Sequence, residues 1–456
     1  GLGRLAAEWM VEGEPSLDLF GWDLARFGHW ATKDFTRARV RDQYAHRFAI
    51  HFPGEEREAG RPVRTRPAFA MQREMGAKFG LNYGWEHPLY FDAETPDSAG
   101  FTRQPWWESV GREARMVRER AGILDISNFA KTRVAGPGAE DWLNALLANR
   151  MPREVGRSCL APLIGKRGGV AGDFTVTRLG PEEFWVIGAG AAERFHQRVF
   201  AEVPRPAGTT VESLTEAVCG FNVAGPRARD LLAPLTDADL SNAAFPFFRS
   251  RRITVAGIDC VALRVSFTGE LGWELHCAAG DQVALYTALL EAGRGLGAGP
   301  AGSRALMSLR LEKGYGSWGR DYSPEYRPQE SGLAGLVRRD KDFLNRQAWE
   351  AVADNPPREV LRLLAVEATE ADASGGEPVF LPDGTPAGQV SSGGYGYHVD
   401  SSLALAYLAP ELAGPGDVVH VAILGRPHAA RVLAEAPFDP RGLRLRDTAA
   451  EMEPAQ

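Results

Sequence analysis

Val134-Ala135-Gly136-Pro137-Gly138-Ala139-Glu140-Asp141 and Val223-Ala224-Gly225-Pro226-Arg227-Ala228-Arg229-Asp230 spell one pattern twice. Each reads as a strand that enters a Gly-Pro turn and leaves as a helix. Proline after the turn glycine suits the first helical turn, where its missing N–H costs nothing. A repeated strand–turn–helix unit predicts an α+β fold with two related halves packed together. Flanking signals agree. Residues 138–149 place Trp142, Leu143, Leu146 and Leu147 on one helical face. Residues 191–203 read as a second helix. Asp281 can cap a third, carrying Val283, Tyr286, Leu289 and Leu290, and Ser303 a fourth that stops at Gly314. Residues 252–256, 259–267 and 272–277 read as antiparallel strands.

From about Arg358 the texture changes to short strands with Gly and Pro punctuation. Val379-Phe380-Leu381 enters the hairpin turn Pro382-Asp383-Gly384-Thr385, which predicts a small C-terminal β-barrel or sandwich. The first 60 residues are aromatic and charged, with a helix over 4–11, and are too small for a comfortable domain. They read as the end of something larger. Residues 61–67 read as a linker, and Gly84-Trp85-Glu86-His87-Pro88 as a turn in an extended crossing segment. The expected division is therefore 1–60, a linking stretch 61–105, a central domain 106–355 and a C-terminal barrel 356–456.

The 456 residues are 44% apolar and 24% charged, enough for several cores. A net charge of −7 argues against broad nucleic-acid binding, and no run of 18 apolar residues suggests a membrane span. Cys159, Cys219, Cys260 and Cys277 have no metal-ligand spacing and read as free thiols of a reducing compartment. G-x-S-x-G, H-E-x-x-H and P-loop patterns are lacking.

Three stretches can carry chemistry. Gly168-Gly169-Val170-Ala171-Gly172-Asp173 is a glycine-rich turn feeding a strand with an isolated carboxylate, which can orient a substrate or cap the turn. In Phe267-Thr268-Gly269-Glu270-Leu271-Gly272-Trp273-Glu274, alternation puts Glu274 opposite Trp273, so this carboxylate needs partners; Glu270 reads as a solvated turn residue. Leu309-Arg310-Leu311-Glu312-Lys313-Gly314-Tyr315 ends a helix, and Arg310 can bind an anion or close an ion pair with Glu312 or a neighbouring segment.

Taken in order, these strings, with Ala121-Gly122-Ile123-Leu124-Asp125-Ile126-Ser127 and Ser392-Gly393-Gly394, resemble the aminomethyltransferase family, typified by the glycine cleavage T-protein. The resemblance runs from about residue 106 to the C-terminus. Leu5-Ala6-Ala7-Glu8-Trp9-Met10-Val11-Glu12-Gly13-Glu14-Pro15 is similar to the end of the flavin domain in dimethylglycine and sarcosine dehydrogenases and oxidases. The resemblance implies a three-part folate domain around a central channel. It implies Glu274 as the pterin-binding carboxylate, Asp173 as the catalytic aspartate, Phe267 at a place where many members have Tyr, and Arg310 as a further cofactor contact. It also implies tetrahydrofolate as cofactor, FAD in a domain mostly preceding this stretch, and no metal. An N-methylated amine would be the small-molecule substrate, and oxygen or an electron-transfer protein would serve the flavin half. The expected reaction forms 5,10-methylenetetrahydrofolate, in the cytoplasm or, in a eukaryote, the mitochondrial matrix. A stand-alone folate-dependent aminomethyltransferase and a non-catalytic folate-binding or scaffold protein are the other readings. An iron–sulfur maturation factor would carry Lys-Gly-Cys-Tyr, where this chain has Lys313-Gly314-Tyr315-Gly316.

Overall fold

Both Gly-Pro patterns turn the chain from strand to helix through the same hydrogen bond. Ala139 N–H donates to the Gly136 carbonyl at 3.1 Å, and Ala228 N–H to that of Gly225 at 3.0 Å. Gly136 (φ 105°) and Gly225 (φ 137°) are required there, because a Cβ would lie 2.2 Å from the Gly208 oxygen and 2.5 Å from the Arg120 oxygen. The prolines lie inside the turns, just ahead of the helices rather than in their first turn.

The computed structural model describes residues 1–96, 98–412 and 414–446. Residue 97 of the expected linker and residues 413 and 447–456 of the expected barrel segment lie outside these. Helices α1 (Leu2–Glu12), α2 (Lys33–Ala45) and α3 (Phe69–Glu74) precede a hairpin, β1 (Ala77–Asn82) and β2 (Trp85–Phe91). Next come α4 (Trp106–Glu119), β3 (Gly122–Asp125), β4 (Ala130–Ala135), α5 (Ala139–Leu146), β5 (Ser158–Ile164), β6 (Val170–Gly180), β7 (Glu183–Gly188), α6 (Glu193–Phe200) and β8 (Thr210–Ser213). The second half holds β9 (Val218–Ala224), α7 (Ala228–Leu232), β10 (Ser250–Val255), β11 (Ile258–Leu263), β12 (Gly272–Ala278), α8 (Gln282–Arg294), β13 (Gly299–Ala301) and α9 (Ser303–Glu312).

Two sheets result, ordered β5-β6-β7-β4-β8 and β10-β11-β12-β9-β3-β13. The outer face of the first packs on α5 and α6 through Trp142, Leu143, Phe174, Phe184 and Phe200. That of the second packs on α7 and α8 through Phe221, Leu231, Trp273, Leu275 and Leu289. Their inner faces meet each other, where Trp185 and Ile187 of β7 join Val261 and Leu263 of β11 in one apolar cluster. Backbone bonds from Ser158 to Phe248 and from Ser250 to Gly156 lace the sheets at one corner. After α10 (Arg346–Ala353), strands β14 (Val360–Val366), β15 (Pro378–Phe380), β16 (Pro386–Gly396), β17 (Ser401–Leu408), β18 (Val418–Ile423) and β19 (Arg426–Val432) close a six-stranded barrel with its own apolar core. No helix among the described residues is long and apolar enough to cross a membrane.

Several sequence expectations shift. Ser303 is the first residue of α9, not its cap; Gly302 takes the cap position, where a Cβ would lie 2.1 Å from the Leu89 oxygen. The helix expected over 138–149 stops at Leu146, and Leu147 turns extended while remaining fully buried. Glu270 is not a solvated turn residue. It is 1% exposed and its carboxylate faces Arg118 Nη1 at 3.3 Å and Arg444 Nη2 at 3.0 Å. Arg118 also holds Glu312 through Nη2 at 2.8 Å, so the end of α9 does not pair with itself.

Removing Arg118 would leave two buried carboxylates under-compensated, which costs about 3–5 kcal/mol when a buried pair is broken from one side. Arg118→Ala is expected to lower the denaturation midpoint accordingly. A midpoint equal to that of the parent chain would contradict the placement of this network.

Candidate functional site

Glu274 lies in the middle of the six-stranded sheet. Pairing aligns Leu124, Asn222, Glu274, Leu263 and Ser250 across β3, β9, β12, β11 and β10. Trp273 and Leu275 point into the outer core, so alternation sends Glu274 and His276 to the face that meets the other sheet. The partner that Glu274 needs is His276, whose Nε2 lies 3.2 Å from Oε2. The Glu274 side chain retains 21% exposure and its second oxygen has no partner among the described residues. Opposite stands Trp185 of β7, its ring edge-on to the imidazole at 5.8 Å. The Trp185 indole N–H is buried without an acceptor among the described residues.

Lys131 on β4 belongs to the same neighbourhood. It is fully buried and donates to the carbonyls of Ser127 at 3.0 Å and Phe129 at 2.9 Å. Burial, aided by the charge of Arg66, brings its ammonium down to about 8, while the charge of Glu274 acts to hold it up. Neither Lys131 nor His276 stood out in the sequence. Only the spacing Glu274-Leu275-His276 signalled that an imidazole shares the carboxylate's face.

Asp173 is the fourth residue of β6, opposite Pro162 of β5. No basic side chain among the described residues pairs with it, and burial pushes its carboxyl up to about 6. An Asp in this environment is half-ionised near pH 6 rather than near the ordinary value of about 4. Tyr322 is close enough that the Asp173 charge adds to burial in raising its phenol. The glycine-rich turn before Asp173 makes room for another part of the chain. A Cβ on Gly169 would lie 1.9 Å from the Pro324 oxygen, so a protein segment takes that space.

Phe267 lies in the connection between β11 and β12, half-buried, with its ring near-parallel to Tyr315 at a centroid distance of 6.3 Å and 18°. Arg310 is buried, and both of its terminal nitrogens are bonded within the protein. Nη1 donates to Asp321 at 2.8 Å and to the Tyr315 carbonyl at 2.9 Å, and Nη2 to Ser392 Oγ at 2.8 Å. These bonds pin the loop carrying Tyr315 to the barrel, while Nε is buried without a partner among the described residues. A cavity of about 100 Å³ lies elsewhere, where Glu14, Asp18 and Phe20 meet Phe195, Arg198 and Trp318; Asp173, Phe267, Glu274 and Arg310 do not line it.

Residues 68–341 match the family described as GCVT N-terminal domain, and residues 360–439 the glycine cleavage T-protein C-terminal barrel domain. The chain belongs to the glycine cleavage T-protein family. Residues 12–65 match a third description, the FAD dependent oxidoreductase central domain. Mitochondrial dimethylglycine dehydrogenase of Mus musculus is 34% identical over 95% of this chain and 51% of its own length. The chain thus spans about half the length of that relative. An aminomethyltransferase of Saccharopolyspora erythraea is 31% identical over 81% of this chain and 97% of its own. The crystal structure of glycine cleavage system aminomethyltransferase T from Bartonella henselae superposes with a TM-score of 0.72 at 25% identity, over 83% of this chain and 99% of that one.

The raised carboxyl of Asp173 has a signed consequence for stability. Its folded value, about 6, exceeds the ordinary 3.8, so the folded state holds the extra proton between these limits and loses stability as pH rises through them. Asp173→Asn removes that penalty. The variant is expected to melt higher than the parent above about pH 6 and to lose the advantage below about pH 4, as followed by melting curves across pH. Equal melting at pH 8 would contradict the burial of this charge.

Proposed function

We propose that this chain binds tetrahydrofolate between its two sheets and transfers a one-carbon unit from an N-methylated amine to it, forming 5,10-methylenetetrahydrofolate. The observation that carries the reading is the free oxygen of Glu274, presented on a buried face beside a held Oε2. A 2-amino-4-oxopterin offers two adjacent N–H donors, which a carboxylate accepts in parallel. The unpartnered Trp185 indole N–H on the facing wall adds a donor where the same ring carries an acceptor. Phe267 supplies an aromatic wall without the hydroxyl of a Tyr, and Arg310 supports Tyr315 across from it.

The carbon arrives as an iminium, a positively charged amine nitrogen double-bonded to a methylene group, at the oxidation level of formaldehyde. The two folate nitrogens form bonds to that carbon, the C–N bond to the amine breaks, and the amine leaves in its neutral, demethylated form. Two N–H hydrogens are displaced; one goes to the departing amine and one is released as a proton. Asp173, ionised above about pH 6, is the base for that proton and a counter-charge for the iminium.

The match of residues 12–65 to an oxidoreductase domain favours a flavin-linked demethylase over a stand-alone aminomethyltransferase. The described residues before β1 form helices and 3-10 turns with no strand, so they build no dinucleotide-binding βαβ unit and do not themselves fit FAD. Oxidation of the amine would fall to a flavin domain outside these residues.

Calorimetric titration with 5-formyltetrahydrofolate tests the reading. The chain is expected to bind with one site and Glu274→Ala to lose binding. Asp173→Asn should retain it yet form methylenetetrahydrofolate roughly 10²-fold more slowly from tetrahydrofolate and an N-hydroxymethyl amine, above the uncatalysed rate. Absence of binding by the folded parent chain would overturn the folate reading; an unchanged rate for Asp173→Asn would overturn the role of that residue.

A further inference from the structure

The imidazole of His276 is confined on every side. Its side chain has no exposure, Trp185 meets it edge-on at 5.8 Å, and Gly220 of β9 lies beneath Nδ1. A Cβ on residue 220 would stand 2.6 Å from that nitrogen, so glycine is what makes room for the ring. Nε2 faces Glu274 Oε2 at 3.2 Å, while Nδ1 is buried with no hydrogen-bond partner among the described residues.

These contacts fix the proton. A carboxylate only accepts, so Nε2 must carry the hydrogen. A second hydrogen on Nδ1 would point at Gly220 with no acceptor, leaving a buried donor unmet. Burial also lowers the imidazole below the ordinary histidine range. The charged groups that face it act in opposite senses, Glu274 on its own strand raising it and Lys131 on β4 lowering it. A neutral imidazole donating from Nε2 leaves the Glu274 charge uncancelled, which an imidazolium would not.

We infer that His276 is a positioning residue for the ligand-binding carboxylate: its neutral Nε2–H holds Oε2 and fixes the carboxylate plane, so that Oε1 and the remaining lone pair of Oε2 face the inter-sheet space as a ready acceptor for a paired-donor heterocycle edge. The inference rests on the folate reading of Glu274 and extends it. It makes affinity depend on a residue that need not touch the ligand.

The test is a double-mutant cycle on the full 456-residue chain, titrated with 5-formyltetrahydrofolate. His276→Phe keeps a ring in the space and removes the donor. A hydrogen bond to a charged group makes about a tenfold or larger difference in affinity, so that loss is expected with the melting temperature of the free chain preserved. His276→Gln, whose amide can donate, should recover most of it. In a Glu274→Gln background His276→Phe should have no further effect. An equal loss in both backgrounds, or none in the parent, would overturn the inference while leaving Glu274 as the folate ligand.

Nitrogen-15 NMR gives a readout independent of folate. The His276 ring is expected to remain the neutral Nε2–H tautomer at pH 6. A protonated ring there would overturn the positioning role whatever the titrations show. A parent chain that does not bind folate, with the tautomer as expected, would instead bring down the folate reading and with it the ligand-facing part of this inference.

Discussion

The guanidinium of Arg118 is where the parts of this molecule converge. It projects from α4 and has no exposure. Nε and Nη2 bond Glu312 at the end of α9, Nη1 bonds the Thr268 carbonyl and the Glu270 carboxylate, and Nη2 reaches the Leu309 carbonyl. Phe438, beyond the barrel, covers its face at 3.6 Å, and Arg444 returns to Glu270 and to the Arg118 carbonyl. Two cations thus face two buried carboxylates, with carbonyls taking further donors. Such a cluster stabilises only when every direction is satisfied. Satisfying it fixes the turn that carries Phe267, the helix that carries Arg310 and the tail of the barrel in one arrangement.

The candidate site uses buried charge differently. Asp173 is desolvated without a cation at hand, which is why its carboxyl titrates at about 6. Glu274 has a neutral donor on one oxygen and, among the described residues, nothing on the other. The structural charge at Arg118 is bonded through all three of its nitrogens, and Arg310 is paired with Asp321. The charges at the candidate site are left partly unpaired. An unpaired buried carboxylate costs free energy in the free protein, and a cationic or donor-rich ligand is what would relieve it.

Much of this was legible in the sequence. The Gly-Pro repeats predicted two related halves because turn chemistry is local, and the steric demand at Gly136 and Gly225 enforces it. Alternation around Trp273 predicted the face of Glu274, and its need of a partner followed from the cost of burying a carboxylate. What escaped was set by contacts between residues distant in the chain. Glu270 looked like a solvated turn because nothing nearby in sequence announces Arg118 or Arg444. Nothing in the Gly168-Gly169 turn announces Pro324, whose oxygen would lie 1.9 Å from a Cβ on Gly169. Arg310 was expected to bind an anion or to pair with Glu312 or a neighbouring segment, and the sequence did not single out Asp321 and Ser392 as the residues that hold it.

If the pterin-binding surface lies between the two sheets, on Glu274, a crystal structure of this chain grown with 5-formyltetrahydrofolate tests it most directly. Density for the pterin is predicted on the inner face, its amino edge on the Glu274 carboxylate, His276 still against Oε2 and the folate nitrogens turned toward Asp173. Folate seated instead in the cavity between Phe20 and Trp318, with Glu274 untouched, would contradict that placement.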